Sequence, residues 1–209
     1  GSFGRMEMHA DSAALRAVRD YVVGKVTDVS VPLDAEHIAG QLEIETGRAF
    51  SALVALANEG LVRRAGATFE VEPVPDQVLF DYYSAKFAIE YGTAVQTVGK
   101  ITPEQLVEAT LEFVRDDVFT DAEGWIRTNN AFHEYLVELA GSVILNETYK
   151  GLRLPALELR SISHSTKAPS ALLEDHAAIV EGYEAGDLDL VLRTLEAHAR
   201  RPRESRTEG

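Results

Sequence analysis

Apolar side chains recur with helical spacing in the first part of the chain, interrupted by short polar segments. Residues 13–23 carry them at intervals of three and four, which predicts an amphipathic helix that ends before Pro32. A second, shorter helix is expected in 34–42, where Asp34 is placed to act as its N-cap. The N-terminal region is therefore predicted to begin with two helices.

A third helix and a pair of strands complete this region. The helix is expected in 47–59 and ends at Gly60, a residue type that favours the left-handed conformation after a helix. Alternating polar and apolar residues in 61–72, around a turn of small residues, predict a β-hairpin. Three helices followed by a hairpin are typical of a winged helix-turn-helix domain.

In the second half of the chain, apolar residues again recur at helical spacing, which predicts helices. Two prolines in 73–75 favour an extended linker. An N-cap, a first-turn proline and a capping-box glutamine mark one helix start at Thr102. Gly186 and Asp187 end one helix and cap the next, so the last two helices are expected to form an antiparallel hairpin. The apolar period predicts helices in 78–98, 102–118, 124–140, 144–163, 170–185 and 188–200.

These elements predict a mainly α protein. An N-terminal winged helix-turn-helix is expected in 8–74, and an all-α antiparallel helical bundle in 76–201. The basic tail 202–209 contains proline and has no apolar period, so it is expected to be disordered. Gly1 and Ser2 resemble a cloning remnant, no signal peptide follows, and no apolar run approaches the ~20 residues that span a bilayer. We therefore expect a cytoplasmic protein without membrane contact.

The charge of the chain weighs against ordinary DNA binding. The formal net charge is -14, and residues 11–75 carry six Lys and Arg against ten Asp and Glu. Phosphate binding relies on Lys and Arg, so this charge repels DNA unless a local basic patch forms. The chain also has no cysteine, so a metal site must use imidazole, carboxylate or amide ligands.

Three histidines lie at spacings that helices can bring together. Asn129 and His133 are four residues apart, which places both on one helix face. His176 lies ten residues before Gly186 and His198 twelve after it, so both sit at a similar height in the predicted hairpin. Three imidazoles and one oxygen match a Zn, Ni, Mn or Fe centre with an open position. The alternative is that each histidine is an ordinary surface or hydrogen-bonded side chain.

The segment 129–141 resembles a motif of the FadR-like branch of the GntR-family regulators. There an Asp and a His four residues apart precede a small residue and a Gly, and 175–198 is similar to that family's closing helices. The resemblance covers nearly the whole chain. It implies a winged helix-turn-helix plus an FCD-type helical domain in which one Asp and three His bind a divalent metal that receives a small carboxylate effector. Asn129 stands where the family has Asp, which should weaken or reselect the metal.

The same resemblance suggests residues for the effector. Lys86 occupies the position where the family has an Arg that meets the effector carboxylate, and Lys keeps the charge without the bidentate fork. The alternative for Lys86 is a solvated surface side chain. Glu90, Tyr135 and Arg160 are further candidates for the pocket or its surroundings.

The N-terminal domain resembles the family but departs from it where DNA is read. The segment 42–53 is similar to the recognition helix, yet the two arginines usual in the family are replaced by Thr46 and Phe50. Arg48, Arg63 and Arg64 remain candidates for phosphate or base contacts. The alternative is a domain that survives as a folded scaffold or dimerisation element.

Two functions follow, and a third stays open. The leading one is a homodimeric, metabolite-responsive transcription regulator that binds operator DNA, a divalent metal and a small carboxylate. The second is a metal-dependent enzyme on the same scaffold that no longer binds DNA, with His133, His176 and His198 as ligands. The third is a partner protein, such as a dimerisation antagonist of a true regulator.

Overall fold

A computed structural model describes residues 2–102, 122–161 and 170–207 of the chain. These residues divide into two compact units. The first holds the described residues up to Pro75 together with 156–161, and the second holds the others from Asp76 onward. The helix predicted in 102–118 lies, apart from Thr102, outside the described residues.

The first unit contains three helices and a small sheet. Its helices and strands are α1 (Ser2–Val23), β1 (Val31–Leu33), α2 (Ala35–Leu42), α3 (Thr46–Glu59), β2 (Arg63–Ala65) and β3 (Thr68–Val71). Helix α3 packs against both α1 and α2. The predicted winged helix-turn-helix is confirmed, although α1 starts earlier than the expected 13–23.

Two predicted caps fix the ends of its short helices. The Asp34 carboxylate accepts a hydrogen bond from the Glu36 amide over 3.3 Å, as expected of an N-cap. Gly60 closes α3 with a φ of 88°, which side chains disfavour, and its amide donates to the Leu56 and Ala57 carbonyls.

The sheet is antiparallel and has the strand order β1-β3-β2. The hairpin of β2 and β3 was predicted, but β1 was not, since Pro32 was taken only as the end of a helix. Val31 pairs with Val71 and Leu33 with Phe69, so β1 is an edge strand. A proline is tolerated there because one side of an edge strand needs no donor.

The second unit is helical throughout its described part. Its helices are α4 (Asp76–Thr97), α5 (Ala122–Glu138), α6 (Val143–Gly151), α8 (Ser170–Ala185) and α9 (Leu188–Thr207), with α7 (Leu154–Leu159) shared between the two units. Helix α9 packs against α8 and α4, and α5 packs against α4 and α6. The predicted helical bundle is confirmed. None of the described helices is both long and apolar enough to cross a membrane.

The single helix predicted in 144–163 is wrong. The structure has two helices there, because Pro155 cannot donate the helical hydrogen bond and instead occupies the first turn of α7, where none is needed. Arg153 turns the chain between them with a φ of 52°.

The tail also differs from its expectation. Helix α9 continues through Pro202 to Thr207, whereas disorder was expected from residue 202. Pro202 cannot donate to the carbonyl of His198, yet the turn before it is held by Arg201, which is bound to Asp175 of α8.

Helices α8 and α9 form the predicted hairpin. Gly186 adopts a φ of 66°, and the Asp187 carboxylate accepts from the Leu190 amide over 3.1 Å. At Gly182 the helices come so close that an added Cβ would lie 2.5 Å from Val191 Cγ2. The hairpin therefore needs a glycine at this position.

A hydrophobic core lies beneath the hairpin. Buried side chains from α4, α5, α8 and α9 form it, namely Ala94, Phe132, Leu136, Ile179, Val180, Tyr183, Val191 and Leu195, with Val98 just beyond α4. Phe132 belongs to this core and is next to His133 in sequence, so packing of α5 fixes the direction of the neighbouring histidine.

Candidate metal and effector site

Three imidazoles meet in the helical unit. His133 comes from α5, His176 from α8 and His198 from α9, and ring nitrogens of all three lie within 4.8 Å of one another. His133 and His176 are fully buried and His198 is 7% exposed. Three converging ring nitrogens in a dry place are a donor set that transition metals prefer.

The ring nitrogens that face one another are Nε2 atoms. His133 Nε2 and His198 Nε2 are 3.1 Å apart, and His176 Nε2 is 2.8 Å from Asn129 Oδ1. The structure thus brings together all four residues that the sequence offered as metal ligands. For bonds of about 2.1 Å, two ligand nitrogens at a right angle on one metal lie roughly 3.0 Å apart, which is close to the observed spacing.

His133 is held from behind by a buried acid. Its Nδ1 lies 3.0 Å from Glu90 Oε1, and the Tyr149 hydroxyl donates to the same oxygen over 2.7 Å. Burial alone would raise the pKa of Glu90, but His133 and Lys86 outweigh it and hold that pKa below its usual range. Glu90 is therefore an ionised carboxylate 3.0 Å from His133 Nδ1, and its negative charge favours a proton on that nitrogen.

His198 also has a buried acid beside its Nδ1. Its Nδ1 is 3.0 Å from Asp175 Oδ2, and Arg201 binds both oxygens of that carboxylate at 2.6 and 2.7 Å. Burial opposes ionisation of Asp175, but the hydrogen bonds from His198 and Arg201 lower its pKa to about 2.

These partners decide which ring nitrogen carries the proton. A carboxylate beside Nδ1 keeps the proton on Nδ1, and the Nε2 lone pair then points into the cluster. Burial lowers the pKa of His133 to about 4 and lowers that of His198, so both rings are neutral at pH 7. Two lone pairs 3.1 Å apart repel each other unless a cation lies between them. The donor set therefore fits a divalent metal ion.

Lys86 lies inside this cluster and is not a surface residue. It is 7% exposed, and its Nζ is 3.3 Å from Glu90 Oε1. The alternative of a solvated lysine is therefore wrong, because Lys86 projects from the same face of α4 as Glu90. A buried cation beside this candidate metal site suits a negatively charged ligand.

The structure gives less support to an effector role for the other two candidates, Tyr135 and Arg160. Tyr135 is partly buried and packs against the hydrophobic core. Arg160 belongs to the first unit, where a guanidinium NH donates to the Glu72 carbonyl over 3.5 Å. An effector role for either residue stays a prediction.

The predicted DNA-facing residues lie on α3 and β2. Thr46 starts α3, Phe50 packs edge-on against Phe69 at 5.5 Å, and the Arg64 guanidinium lies 5.3 Å from the Phe50 ring centre. Phe50 is thus partly enclosed by aromatic and cationic neighbours. Its position explains a large apolar residue there without any reference to DNA.

Two of the predicted phosphate contacts are engaged with acids. Arg63 pairs with Glu70 on the adjacent strand, and its Nε is 3.3 Å from Glu72 Oε1. Hydrogen bonding to Glu70 raises the pKa of Arg63. Arg48 lies 3.8 Å from Asp11, a long and exposed pair. Arg63 therefore contributes little free positive charge to the surface, whereas the charge of Arg48 is only weakly compensated.

Three residues of the site were not proposed from the sequence. Arg201 follows His198 by three residues and so shares its helix face, which was a usable signal. Asp175 precedes His176, but its partner lies 23 residues away. Tyr149 reaches Glu90 across 59 residues, which no local pattern indicates.

Comparisons with known proteins agree with this architecture. The model of the FCD domain family matches residues 81–201. A protein of Escherichia coli K12 named as an L-lactate dehydrogenase operon regulatory protein is 27% identical over 210 residues, covering 87% of this chain and 80% of that protein.

Solved structures share the fold over nearly the whole chain. McbR/YncC of E. coli is 17% identical with a TM-score of 0.62, covering 92% of this chain and 94% of that one. A protein from Rhodococcus sp. RHA1 described as a GntR transcriptional regulator is 15% identical with a TM-score of 0.66, covering 94% and 97%.

Because the family model spans more than half of the chain, the chain belongs to the FCD domain family. The resemblance to the FadR-like branch of the GntR regulators is confirmed, as is the fold expected from it. Taken together, the matches support a transcription regulator of the GntR type.

Proposed function

We propose that the protein is a homodimeric transcription regulator whose helical unit binds a divalent metal ion and a small carboxylate effector. His133, His176 and His198 would hold the metal through Nε2, with Asn129 Oδ1 as a fourth ligand. The metal supplies a Lewis-acid position for a carboxylate oxygen.

One observation carries the metal part of the proposal. The Nδ1 atoms of His133 and His198 each lie 3.0 Å from a buried carboxylate, which favours a proton on Nδ1, and their Nε2 atoms lie 3.1 Å from each other. An ordinary buried histidine pair would share one proton between the two rings. Carboxylate support behind each imidazole is the arrangement that metal-binding histidines use.

The charge around the metal supports an anionic effector. Three neutral imidazoles and the Asn129 amide leave the two positive charges of the ion uncompensated, and the nearby Lys86 pairs with Glu90. The E. coli relative is named for an L-lactate dehydrogenase operon, and L-lactate is a small hydroxycarboxylate. L-Lactate is therefore the first probe to use.

The N-terminal unit would bind operator DNA as one half of a symmetric dimer. Its three helices and hairpin have the order of a winged helix-turn-helix, with α3 as the recognition helix. Effector binding would shift the DNA affinity through a coupling free energy of about 1 to 3 kcal/mol.

A specific observation keeps a second candidate open. Arg63 is held by Glu70 and Glu72, and Phe50 replaces a DNA-facing arginine, so this unit offers DNA few free cations. A metal-dependent enzyme that has lost DNA binding would show the same features. Its ligands would be those named above, and an open metal position would receive the substrate.

Metal binding is tested on protein purified without chelator. Metal content per chain is measured by mass spectrometry for the wild type, for His133→Ala, and for His37→Ala as a control on an exposed histidine of α2. We expect about one metal per helical unit in the wild type and the control, and a loss of at least ~100-fold in affinity for His133→Ala, because one of three imidazoles is removed. Equal metal content in the two variants would contradict the site.

DNA binding is tested on the same preparation with DNA from upstream of its own gene, over a series of salt concentrations. A regulator gives sequence-specific, salt-sensitive binding that changes several-fold when L-lactate is added. Bound metal without any DNA binding at low salt would reject the regulator and favour the enzyme.

A further inference from the structure

The Asp175 carboxylate joins the metal-site histidine to the end of the last helix. Its Oδ2 lies 3.0 Å from His198 Nδ1 and 2.6 Å from Arg201 Nε, while Oδ1 accepts from a second guanidinium nitrogen at 2.7 Å. Asp175 is 5% exposed, so its carboxylate is largely shielded from solvent.

Helix geometry brings His198 and Arg201 to the same carboxylate, that of Asp175. His198 and Arg201 are three residues apart on α9 and therefore project from one face. Asp175 faces them from α8, next to the ligand His176. One carboxylate thus receives the imidazole of the ligand and the guanidinium that follows it one turn later.

We propose that Arg201 is a positioning residue that fixes the tautomer and direction of His198 through Asp175. This inference rests on the proposed metal function. A bidentate guanidinium holds both carboxylate oxygens in one plane, so Oδ2 stays aimed at His198 Nδ1 and the Nε2 lone pair stays aimed at the metal.

The bidentate contact of the Arg201 guanidinium, and not its charge alone, is what orients the Asp175 carboxylate. A lysine at 201 would keep the charge but contact one oxygen at a time, leaving the carboxylate free to rotate. Arg201 is 43% exposed, so its contribution comes from orienting the buried Asp175 and not from the strength of a surface pair.

The carboxylate beside His133 is held by other residues than the one beside His198. A substitution of Arg201 can therefore be compared between the two histidines. Glu90 is contacted by Tyr149 and Lys86, whereas Arg201 binds the carboxylate of Asp175. Loss of Arg201 should therefore disturb His198 while His133 keeps its tautomer.

The test compares Arg201→Gln, Arg201→Lys and the control Arg200→Gln, whose side chain is 60% exposed and pairs with Glu196 on the same helix. Zn²⁺ affinity is measured by competition with a chromogenic chelator. We expect about 10-fold weaker binding for Arg201→Gln, a smaller loss for Arg201→Lys, and no change for Arg200→Gln.

A second readout uses the metal-free protein with ¹⁵N-labelled histidine. In the wild type the His198 imidazole should give the signals of a ring protonated at Nδ1. In Arg201→Gln those signals should shift toward a tautomer mixture, with the His133 signals unchanged. A general loss of folding would move both histidines, so the two causes are distinguishable.

The outcomes separate the inference from the function on which it rests. An unchanged His198 tautomer in Arg201→Gln, together with Zn²⁺ affinity within twofold of the wild type, would overturn the inference and leave the metal site standing. Failure of the wild type to bind Zn²⁺ would instead reject the proposed function, and the tautomer signals would still decide whether Arg201 orients His198. An Arg201→Lys protein that matches the wild type in both readouts, beside an Arg201→Gln protein that does not, would show that charge is sufficient and that the fork is not needed.

Discussion

The histidine cluster of the helical unit (His133, His176 and His198) and the wing of the N-terminal unit, which is the hairpin of β2 and β3, place charged residues in opposite settings. Lys86, Glu90 and Asp175 are each less than a tenth exposed. Glu90 contacts His133 and Asp175 contacts His198, and these contacts fix the directions of the two rings. In the wing, Arg63 has an exposed side chain and pairs with acids on and beside the neighbouring strand. The buried charges orient the histidines, whereas the charges of Arg63 and its acidic neighbours mainly compensate each other.

The energetic consequences of the two settings differ. Breaking a buried ion pair leaves an uncompensated charge and typically costs about 3 to 5 kcal/mol. An exposed pair contributes about 0 to 1 kcal/mol. Substitutions in the two regions therefore test the comparison directly, and the single tryptophan, Trp125 of α5, reports unfolding of the helical unit.

Glu90→Gln should cause the largest loss of stability. It leaves Lys86 buried with its counter-charge removed, and we expect a loss of about 3 kcal/mol or more in the free energy of unfolding, measured by urea titration of Trp125 fluorescence. Asp189→Asn, which breaks the exposed pair with Arg193, is the control and should change stability by less than ~1 kcal/mol. Similar losses in both variants would remove the distinction between the two settings.

Acid should weaken the metal-free helical unit. Burial lowers the pKa of His133 from 6.5 to about 4, so between these values the unfolded chain binds a proton that the folded chain excludes. Stability is then complete above the unfolded pKa and falls with pH through this window, by on the order of 3 kcal/mol for this residue. His198 shifts in the same direction.

Urea midpoints at pH 7 and pH 4.5 measure this pH dependence, with His133→Gln as the comparison. The variant should show a smaller loss because one of the titrating rings is gone. A wild-type protein whose stability rises toward acid pH would contradict the assignment of neutral, buried imidazoles.

Gly182→Ala should have an intermediate effect. The added methyl would lie 2.5 Å from Val191 Cγ2, so α8 and α9 must separate, at a cost of about 1 to 3 kcal/mol. Zn²⁺ affinity should also fall several-fold, since His176 and His198 lie on these two helices. Gly92→Ala in α4 is the control: nothing lies within 4 Å of an added Cβ there, and stability should hold or rise. A Gly182→Ala protein with unchanged unfolding and Zn²⁺ affinity would argue against close helix contact.

The smallest effect is expected in the wing. Glu70→Gln combined with Glu72→Gln releases Arg63 and should change stability by less than ~1 kcal/mol. Non-specific DNA binding at low salt should strengthen several-fold, and more than for Asp20→Asn with Asp28→Asn, which changes the net charge equally. Equal gains for the two double variants would mean that net charge, and not release of Arg63, limits DNA binding.

Local patterns predicted the parts of the molecule that local physics determines. The four-residue spacing of Asn129 and His133, and the hairpin at Gly186, are enough to predict that the imidazoles lie together. The cap at Asp34 and the αL glycine at position 60 were predictable for the same reason.

The remaining parts depend on contacts between distant segments. Burial of Lys86 is decided by helices that pack around it, and its sequence neighbours give no sign of this. The Tyr149 hydroxyl reaches Glu90 across 59 residues. Strand β1 exists because β3 supplies its hydrogen bonds, which the sequence around Pro32 does not reveal. These features depend on tertiary packing, which the hydrophobic period of single segments does not predict.

X-ray absorption spectroscopy of the bound metal tests the central claim most directly. Protein purified without chelator should show nitrogen and oxygen ligands at about 2.0 to 2.2 Å, with the outer-sphere scattering of three imidazoles. In His198→Ala the imidazole count should fall to two. A metal bound with one imidazole or none, or the same spectrum in His198→Ala, would contradict a centre built from His133, His176 and His198.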